Sequence, residues 1–164
     1  MSYVDTSVIV AALDPADHRR SLAQEFLEGE ADKVVSELTL VELASVLSRS
    51  PQRERLLERL GVREELLIPT ILLYILRRFK LRLGLTRGSV RLPPLGELNL
   101  PIAEAMELSM EAQLRTLDLL HLAYAKLLRD SGERVEVIVT FDENFKINPS
   151  LEGKLDIRVR LLGD

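Results

Sequence analysis

The segment from Val135 to Thr140 narrows the choice of fold, because five of its six residues are β-branched. Such a run is typical of a strand that is buried on both faces, as in parallel sheets covered by helices. Residues 2–5 and 33–36 are two further short strand-like segments, and each is followed by residues with helical periodicity. Strands that alternate with helices predict an α/β fold, a parallel β-sheet with helices on both faces.

The helices are predicted from apolar periodicity and from the residues that begin and end each one. They are expected over residues 7–13, 17–27, 39–47, 51–60, 62–79, 101–112 and 116–131, with an interruption before Pro69. Residues 79–85 alternate in polarity and fit either a strand or an extension of the preceding helix. The proline-rich residues 92–101 are expected to form a connector, and residues 157–161 an edge strand.

The length of 164 residues predicts a single domain, residues 1–164, with a helical or hairpin insertion at about 62–100. Because Cys is absent, disulfides, thiolate metal sites and a Cys nucleophile are excluded. Only two His residues are present, which argues against a zinc site built on imidazoles. The sequence shows no secretory signal and no apolar run long enough to span a membrane, so we expect a cytoplasmic protein with no membrane partner.

Carboxylates lie where predicted strands end and where predicted helices begin: Asp5, Glu42, Asp118 and Asp142. In an open parallel sheet the carboxyl ends of the strands line one crevice, so these acids are expected to meet there. Each also has a structural explanation as a helix cap or a partner of the helix dipole, and the segment 39–42 fits a capping box. Four carboxylates in one cleft repel one another, and a hard divalent cation, Mg²⁺ or Mn²⁺, would remove that repulsion.

Polar residues beside these acids are candidates for supporting roles: Thr6, Ser7, Thr140 and Asn144. A hydroxyl can orient a carboxylate or hold a metal-bound water, although such residues are equally ordinary in caps, strands and turns. His121 lies one turn after Asp118 on the same side of its helix. A packing role for His121 is favoured over contact with a substrate.

The sequences around the acids resemble the motifs of PIN-domain nucleases, and most closely those of VapC-type toxins from prokaryotic toxin–antitoxin pairs. The matching segments are Tyr3-Val4-Asp5-Thr6-Ser7-Val8-Ile9, Thr39-Leu40-Val41-Glu42-Leu43, Leu114-Arg115-Thr116-Leu117-Asp118-Leu119-Leu120-His121-Leu122-Ala123 and Thr140-Phe141-Asp142-Glu143-Asn144-Phe145. The resemblance spans residues 3–145 and implies a PIN-like three-layer fold. It also implies that the four acids are the catalytic and metal-binding residues for Mg²⁺ or Mn²⁺. The basic, Leu-rich stretch 62–100 is longer than the compact toxins carry.

The function implied is a metal-dependent endoribonuclease that hydrolyses RNA phosphodiester bonds, acting as a toxin with a small antitoxin partner. We also expect a homodimer; the apolar residues 66–76 fit a dimer interface, an antitoxin site or, more commonly, core. The alternatives are a PIN-like nuclease of RNA processing or quality control, and a catalytically silent RNA- or protein-binding module. Other classes fit less well, because a dehalogenase-type phosphatase needs an acid where Ser7 stands, and a nucleotide-binding fold needs a glycine-rich loop after Val4.

Positive charge is concentrated in one stretch although the net charge is −4. Between Glu65 and Glu97 there is no acid but six basic residues: Arg77, Arg78, Lys80, Arg82, Arg87 and Arg91. Together with Arg115, these residues are candidates for binding the phosphates of RNA. The alternative is an ordinary solvated face of the insertion.

Overall fold

The computed structural model describes residues 1–163. Its elements in chain order are β1 (Ser2–Val4), α1 (Thr6–Leu13), α2 (Arg20–Glu28), β2 (Lys33–Val35), α3 (Glu37–Ser48), α4 (Arg53–Leu60), α5 (Glu64–Arg78), β3 (Leu81–Leu83), β4 (Ser89–Leu92), β5 (Gly96–Asn99), α6 (Leu100–Ala112), α7 (Thr116–Asp130), β6 (Val137–Thr140), α8 (Pro149–Leu155) and β7 (Arg158–Leu161). Five strands form one sheet in the order β3-β2-β1-β6-β7, and β4 and β5 pair separately as an antiparallel hairpin. Within residues 1–163, no helix is long and apolar enough to cross a membrane.

All four neighbouring pairs in the main sheet are parallel, so the predicted α/β fold is confirmed. Successive residues of a strand point to opposite faces of the sheet, and each face has its own core. Tyr3 and Ile138 face α6, α7 and α8, whereas Val4 and Val139 face α1, α2, α3 and α5. The central strands are buried on both faces because helices cover both, which explains their near-continuous apolar sequences.

The region after residue 60 differs in several places from the expected elements. Helix α5 continues through Pro69 without interruption, because its buried residues Leu67 and Ile75 anchor it on both sides of the proline. Residues 81–83 form an edge strand that pairs with β2, so the strand alternative is correct. The expected connector at 92–101 is wrong in part, since it contains β5 and the start of α6. Helix α8 was not predicted.

The passage from α5 into β3 depends on two backbone features. Lys80 adopts the left-handed conformation with φ of 51°, which turns the chain out of the helix and into the sheet. Gly84 ends the strand where the sheet meets α7, and its N–H donates to the carbonyl of Val35 at 2.8 Å. A Cβ at Gly84 would lie 2.5 Å from a methyl group of Leu128, so the Leu128 side chain would have to shift to accommodate any larger residue.

Candidate active site

Asp5 follows β1 and caps the N-terminus of α1, where the chain leaves the sheet at the carboxyl ends of the strands. One oxygen of its buried carboxylate, Oδ2, accepts hydrogen bonds from the Ser7 hydroxyl and, at 2.8 Å, from the Thr140 hydroxyl. Thr140 in turn accepts the backbone N–H of Asp142 at 2.9 Å. The neighbouring ends of β1 and β6 are therefore joined through side chains that also hold the first acid.

Glu42 lies on α3 and points towards the same edge. The helix begins at Glu37, with Ser36 at its N-cap position, so Glu42 is in the second turn and the capping-box explanation is wrong. Its Oε2 accepts a hydrogen bond from the Thr6 hydroxyl and lies 2.8 Å from His121 Nε2. Burial raises the pKa of Glu42, but the hydrogen bonds from His121 and Thr6 more than offset burial, so the pKa is lowered overall.

His121 lies on α7, is 1 % exposed, and links residues from several elements. Its Nε2 is 2.8 Å from Glu42 Oε2 and 3.2 Å from Asp5 Oδ1. Its Nδ1 is 2.7 Å from the hydroxyl of Tyr3, which also contacts the Ser36 hydroxyl at 2.7 Å. Sequence reasoning favoured a packing role for this residue and missed these contacts. The signal was its position one helical turn after Asp118.

Asp118 and Asp142 complete the acidic cluster. Asp118 is half-buried in the first turn of α7, and no hydrogen-bond donor within residues 1–163 contacts its carboxylate. Burial raises the pKa of Asp118, and the negative charges of Asp142 and Asp5 raise it further. Asp142 lies in the turn after β6, where its Oδ1 accepts from the backbone N–H of Asn144 at 2.8 Å and from its side-chain amide at 2.9 Å. The structure thus brings all four acids to one edge of the sheet.

The geometry of this edge fits a divalent cation. The candidate ligand atoms of Asp5, Glu42 and His121 lie within 4.8 Å of one another. Protein donors occupy Oε2 of Glu42 and Oδ1 of Asp142, but within residues 1–163 nothing donates to the second oxygen of either. Carboxylate oxygens that are oriented but still free, in a cluster of uncompensated negative charge, suit a hard cation such as Mg²⁺ or Mn²⁺.

Most of the basic residues of the insertion lie away from the acids. Arg78 forms an ion pair with Glu28 at the end of α2, and Arg82 forms an ion pair with Glu133 in the loop between α7 and β6. Glu28 precedes β2 and Glu133 precedes β6, so both lie at the edge of the sheet where the strands begin, opposite the edge that carries the acids. Lys80 lies at the same edge, since its charge adds to burial in lowering the pKa of Lys33 at the start of β2. Arg77 is exposed on the last turn of α5 beside them.

The remaining basic candidates occupy other positions. Arg115 precedes α7, and its charge partly counteracts the effects that raise the pKa of Asp118, so it lies close to the acids. Arg87 is exposed just after Thr86, whose hydroxyl contacts Glu37 of α3 at 3.3 Å. Arg91 is exposed on β4. Among the seven candidates, Arg115 thus lies close to the acids, and Arg87 follows a residue that contacts Glu37 at the carboxyl end of β2.

The model of the PIN domain family matches residues 2–149, and the chain belongs to this family. Among solved structures it is similar to VapBC2 from Rickettsia felis bound to a promoter DNA fragment, with 16% identity, 98% of both chains covered and a TM-score of 0.56. It is also similar to DNA-bound VapBC from Salmonella typhimurium (15% identity, 98% and 97% covered, TM-score 0.57). A third structure is VapC20 of Mycobacterium tuberculosis, a toxin that cleaves the Sarcin-Ricin loop (18% identity, 88% and 92% covered, TM-score 0.50). A comparison with curated protein sequences gives no match.

Membership of the PIN family confirms the resemblance seen in the sequence motifs, and the structural neighbours are VapC toxins of VapBC systems. At these identities the neighbours show a shared fold. The parallel sheet flanked by helices is the PIN-like architecture that the resemblance implied.

Proposed function

We propose that this chain is a metal-dependent endoribonuclease and the toxin of a toxin–antitoxin pair. The observation that carries the proposal is the convergence of four acids at one edge of the sheet: Asp5 and Asp142 act on the pKa of Asp118, which burial also raises, and Asp5 and Glu42 lie together with His121 in a group that could hold a metal ion. Such crowding opposes folding unless a cation is bound, which supports a metal-dependent function for the cluster. An enzyme that acts on RNA in this way would work in the cytoplasm.

In the proposed reaction, Asp5, Glu42, Asp118 and Asp142 bind Mg²⁺ or Mn²⁺, and the metal when bound supplies a water of lowered pKa and offsets charge on the phosphate. The surrounding polar residues orient the acids. Ser7 and Thr140 fix Asp5, Thr6 fixes Glu42, and Asn144 fixes Asp142.

An acidic site repels RNA unless nearby cations compensate. We propose that Arg115, which lies beside Asp118, contacts an RNA phosphate next to the scissile bond. Arg87 and Arg91 are exposed and available to contact more distant phosphates. Arg77, Arg78, Lys80 and Arg82 lie at the opposite edge of the sheet, so an RNA bound at the acids would have to wrap around the molecule to reach them.

An antitoxin site is supported by an apolar groove between α1, α3, α4 and α5. The groove has a volume of about 880 Å³ and is lined mainly by apolar residues such as Val10, Leu47, Leu56 and Ile71. Two of the similar structures are VapBC complexes, so we propose that an apolar segment of an antitoxin occupies the groove. Leu60→Glu, at the exposed rim, should prevent antitoxin binding without reducing metal-dependent cleavage.

A homodimer is also part of the proposal. Ile102 and Met106 of α6 expose apolar side chains at a shallow depression of about 310 Å³ between α6 and α7, and Met110 and Leu117 of the same two helices are also exposed. Exposed apolar side chains that lie together are typical of a protein–protein interface. Met106→Glu should convert the dimer to a monomer, as measured by light scattering in solution.

The test of nuclease function is cleavage of a mixed pool of structured RNA in the presence of Mn²⁺, with an EDTA control. Wild-type protein is compared with Asp118→Asn. We expect cleavage that requires both the metal and Asp118. If well-folded protein neither cleaves RNA nor binds Mn²⁺ in calorimetry, the proposal is wrong and a binding function takes its place. If Mn²⁺ binds without cleavage, the metal site stands and the RNA pool lacks the target.

A further inference from the structure

His121 occupies an unusual position for a metal-site histidine, because one nitrogen faces two carboxylates from different elements. Its Nε2 lies 2.8 Å from Glu42 Oε2 on α3 and 3.2 Å from Asp5 Oδ1 at the start of α1. The imidazole is 1 % exposed, so water does not separate these groups. Two different roles fit this placement: His121 could be a third metal ligand, or it could orient the carboxylates that bind the metal.

The hydrogen-bond chemistry of the contact distinguishes these roles. Carboxylate oxygens only accept hydrogen bonds, so a bare lone pair on Nε2 at these distances would face two acceptors and be repelled by both. A proton on Nε2 converts the same geometry into a hydrogen bond shared by Glu42 and Asp5. A nitrogen that carries this proton has no lone pair left for a metal.

The other side of the ring is fixed as well. The Tyr3 hydroxyl lies 2.7 Å from Nδ1, and the Tyr3 and His121 rings pack edge to face with centroids 5.7 Å apart. Tyr3 is itself fully buried and contacts Ser36 at 2.7 Å, at the N-cap position of α3. A ring with contacts at both nitrogens cannot turn towards a cation without breaking buried hydrogen bonds.

We propose that His121 is a positioning residue that donates its Nε2–H to Glu42 and Asp5, and that it is not a ligand of the metal. Tyr3 anchors the ring through Nδ1. The inference rests on the proposed function in one respect only, namely that the acids bind a divalent cation. The cation is then bound by carboxylate oxygens alone, and the histidine contact engages Oε2 of Glu42.

The first test needs no metal and is therefore independent of the proposed function. Long-range ¹H–¹⁵N NMR correlation spectra report which imidazole nitrogens carry protons. The chain has only two histidines, and His18 is highly exposed, so His18→Ala leaves a single imidazole signal. We expect a proton on Nε2 of His121. A proton on Nδ1 alone would overturn the inference.

The second test uses Mn²⁺ and pulsed EPR on the His18→Ala protein labelled with [¹⁵N]histidine. Nitrogen bonded directly to Mn²⁺ gives a strong hyperfine coupling, and we expect none. A strong ¹⁵N coupling would overturn the positioning role while leaving the metal site and the proposed function intact. Absence of any Mn²⁺ binding would contradict the proposed function instead, and the NMR result would still decide the role of the histidine.

Substitutions provide a third test with a matched control. His121→Ala should weaken Mn²⁺ binding by about 10- to 100-fold, the range seen when residues that orient metal ligands are removed. His121→Gln places an amide N–H near the position of Nε2 and should restore most of the affinity. His18→Ala should leave the affinity unchanged. Equal losses in His121→Ala and His121→Gln, both folded by circular dichroism, would contradict the role of Nε2–H as a donor.

Discussion

Replacing Tyr3 by Phe removes one buried hydroxyl group that forms hydrogen bonds with two other side chains. The hydroxyl contacts Ser36 Oγ and His121 Nδ1, each at 2.7 Å, in a region without solvent access. The aromatic ring remains, so the change leaves almost no cavity. Each buried polar group left without a partner costs about 1–3 kcal/mol, and two groups are affected, so we expect a loss of about 3 kcal/mol in the free energy of unfolding. For a domain of this size, that loss corresponds to roughly 6–12 °C in melting temperature.

The assay is urea unfolding of metal-free protein followed by circular dichroism, with equal m-values required for the comparison. The matched control is Tyr74→Phe. Tyr74 is 57 % exposed, and its hydroxyl contacts only Arg78 at 3.4 Å within the described residues, so its loss should change the stability by less than about 0.5 kcal/mol. If Tyr3→Phe lowered the free energy of unfolding as little as Tyr74→Phe does, the buried hydrogen bonds around His121 would not stabilise the fold, and the reasoning would be refuted.

Three further predictions concern pH, packing and RNA binding. Burial raises the pKa of Asp118, so its ionised form destabilises the metal-free fold, and Asp118→Asn should raise the melting temperature increasingly between about pH 4 and 7. The pKa of Glu42 is lowered instead, so Glu42→Gln should lower the melting temperature at neutral pH, and this loss should disappear at acid pH. Both effects are measured as the melting temperature against pH, and a change of the same sign in the two variants at neutral pH would contradict them. Gly84→Ala should cost about 1–3 kcal/mol in urea unfolding, because its Cβ would overlap α7; an unchanged midpoint would be inconsistent with the packing. Arg115→Ala should weaken RNA binding in fluorescence anisotropy, whereas Arg82→Ala, at the opposite edge, should not; equal effects would place RNA elsewhere.

The parts of this molecule that follow from local rules could be predicted from the sequence. Strands β1 and β6 are short segments of β-branched or other apolar residues. Asp5 follows β1 directly, Asp142 lies two residues after β6, and a parallel sheet places residues at such strand ends along one edge. The position of Asp118 near a helix start was equally visible. Glu42 was assigned to the correct helix but to the wrong turn, because the true N-cap position is Ser36 and lies three residues before Thr39.

What could not be predicted depends on contacts between distant segments. The role of His121 requires knowing that α7 packs beside α3, although 79 residues separate His121 from Glu42. The density of basic residues at 77–91 is evident in the sequence, but which edge of the sheet they occupy is decided by the pairing of β3 with β2. Pro69 was expected to interrupt α5, and burial of the residues around it offset its cost instead.

The hydrogen bond from Thr140 to Asp5 joins positions 135 residues apart, so it affects when the acidic site can form during synthesis of the chain. Asp5 leaves the ribosome well before β6 and Asp142, which lie more than 130 residues further along the chain. Until then Asp5 has the Ser7 hydroxyl as a donor but lacks the Thr140 hydroxyl and the neighbouring carboxylate of Asp142. The acidic site can consequently form only after Asp142 has been made, and a chain that stops before residue 140 has no complete site.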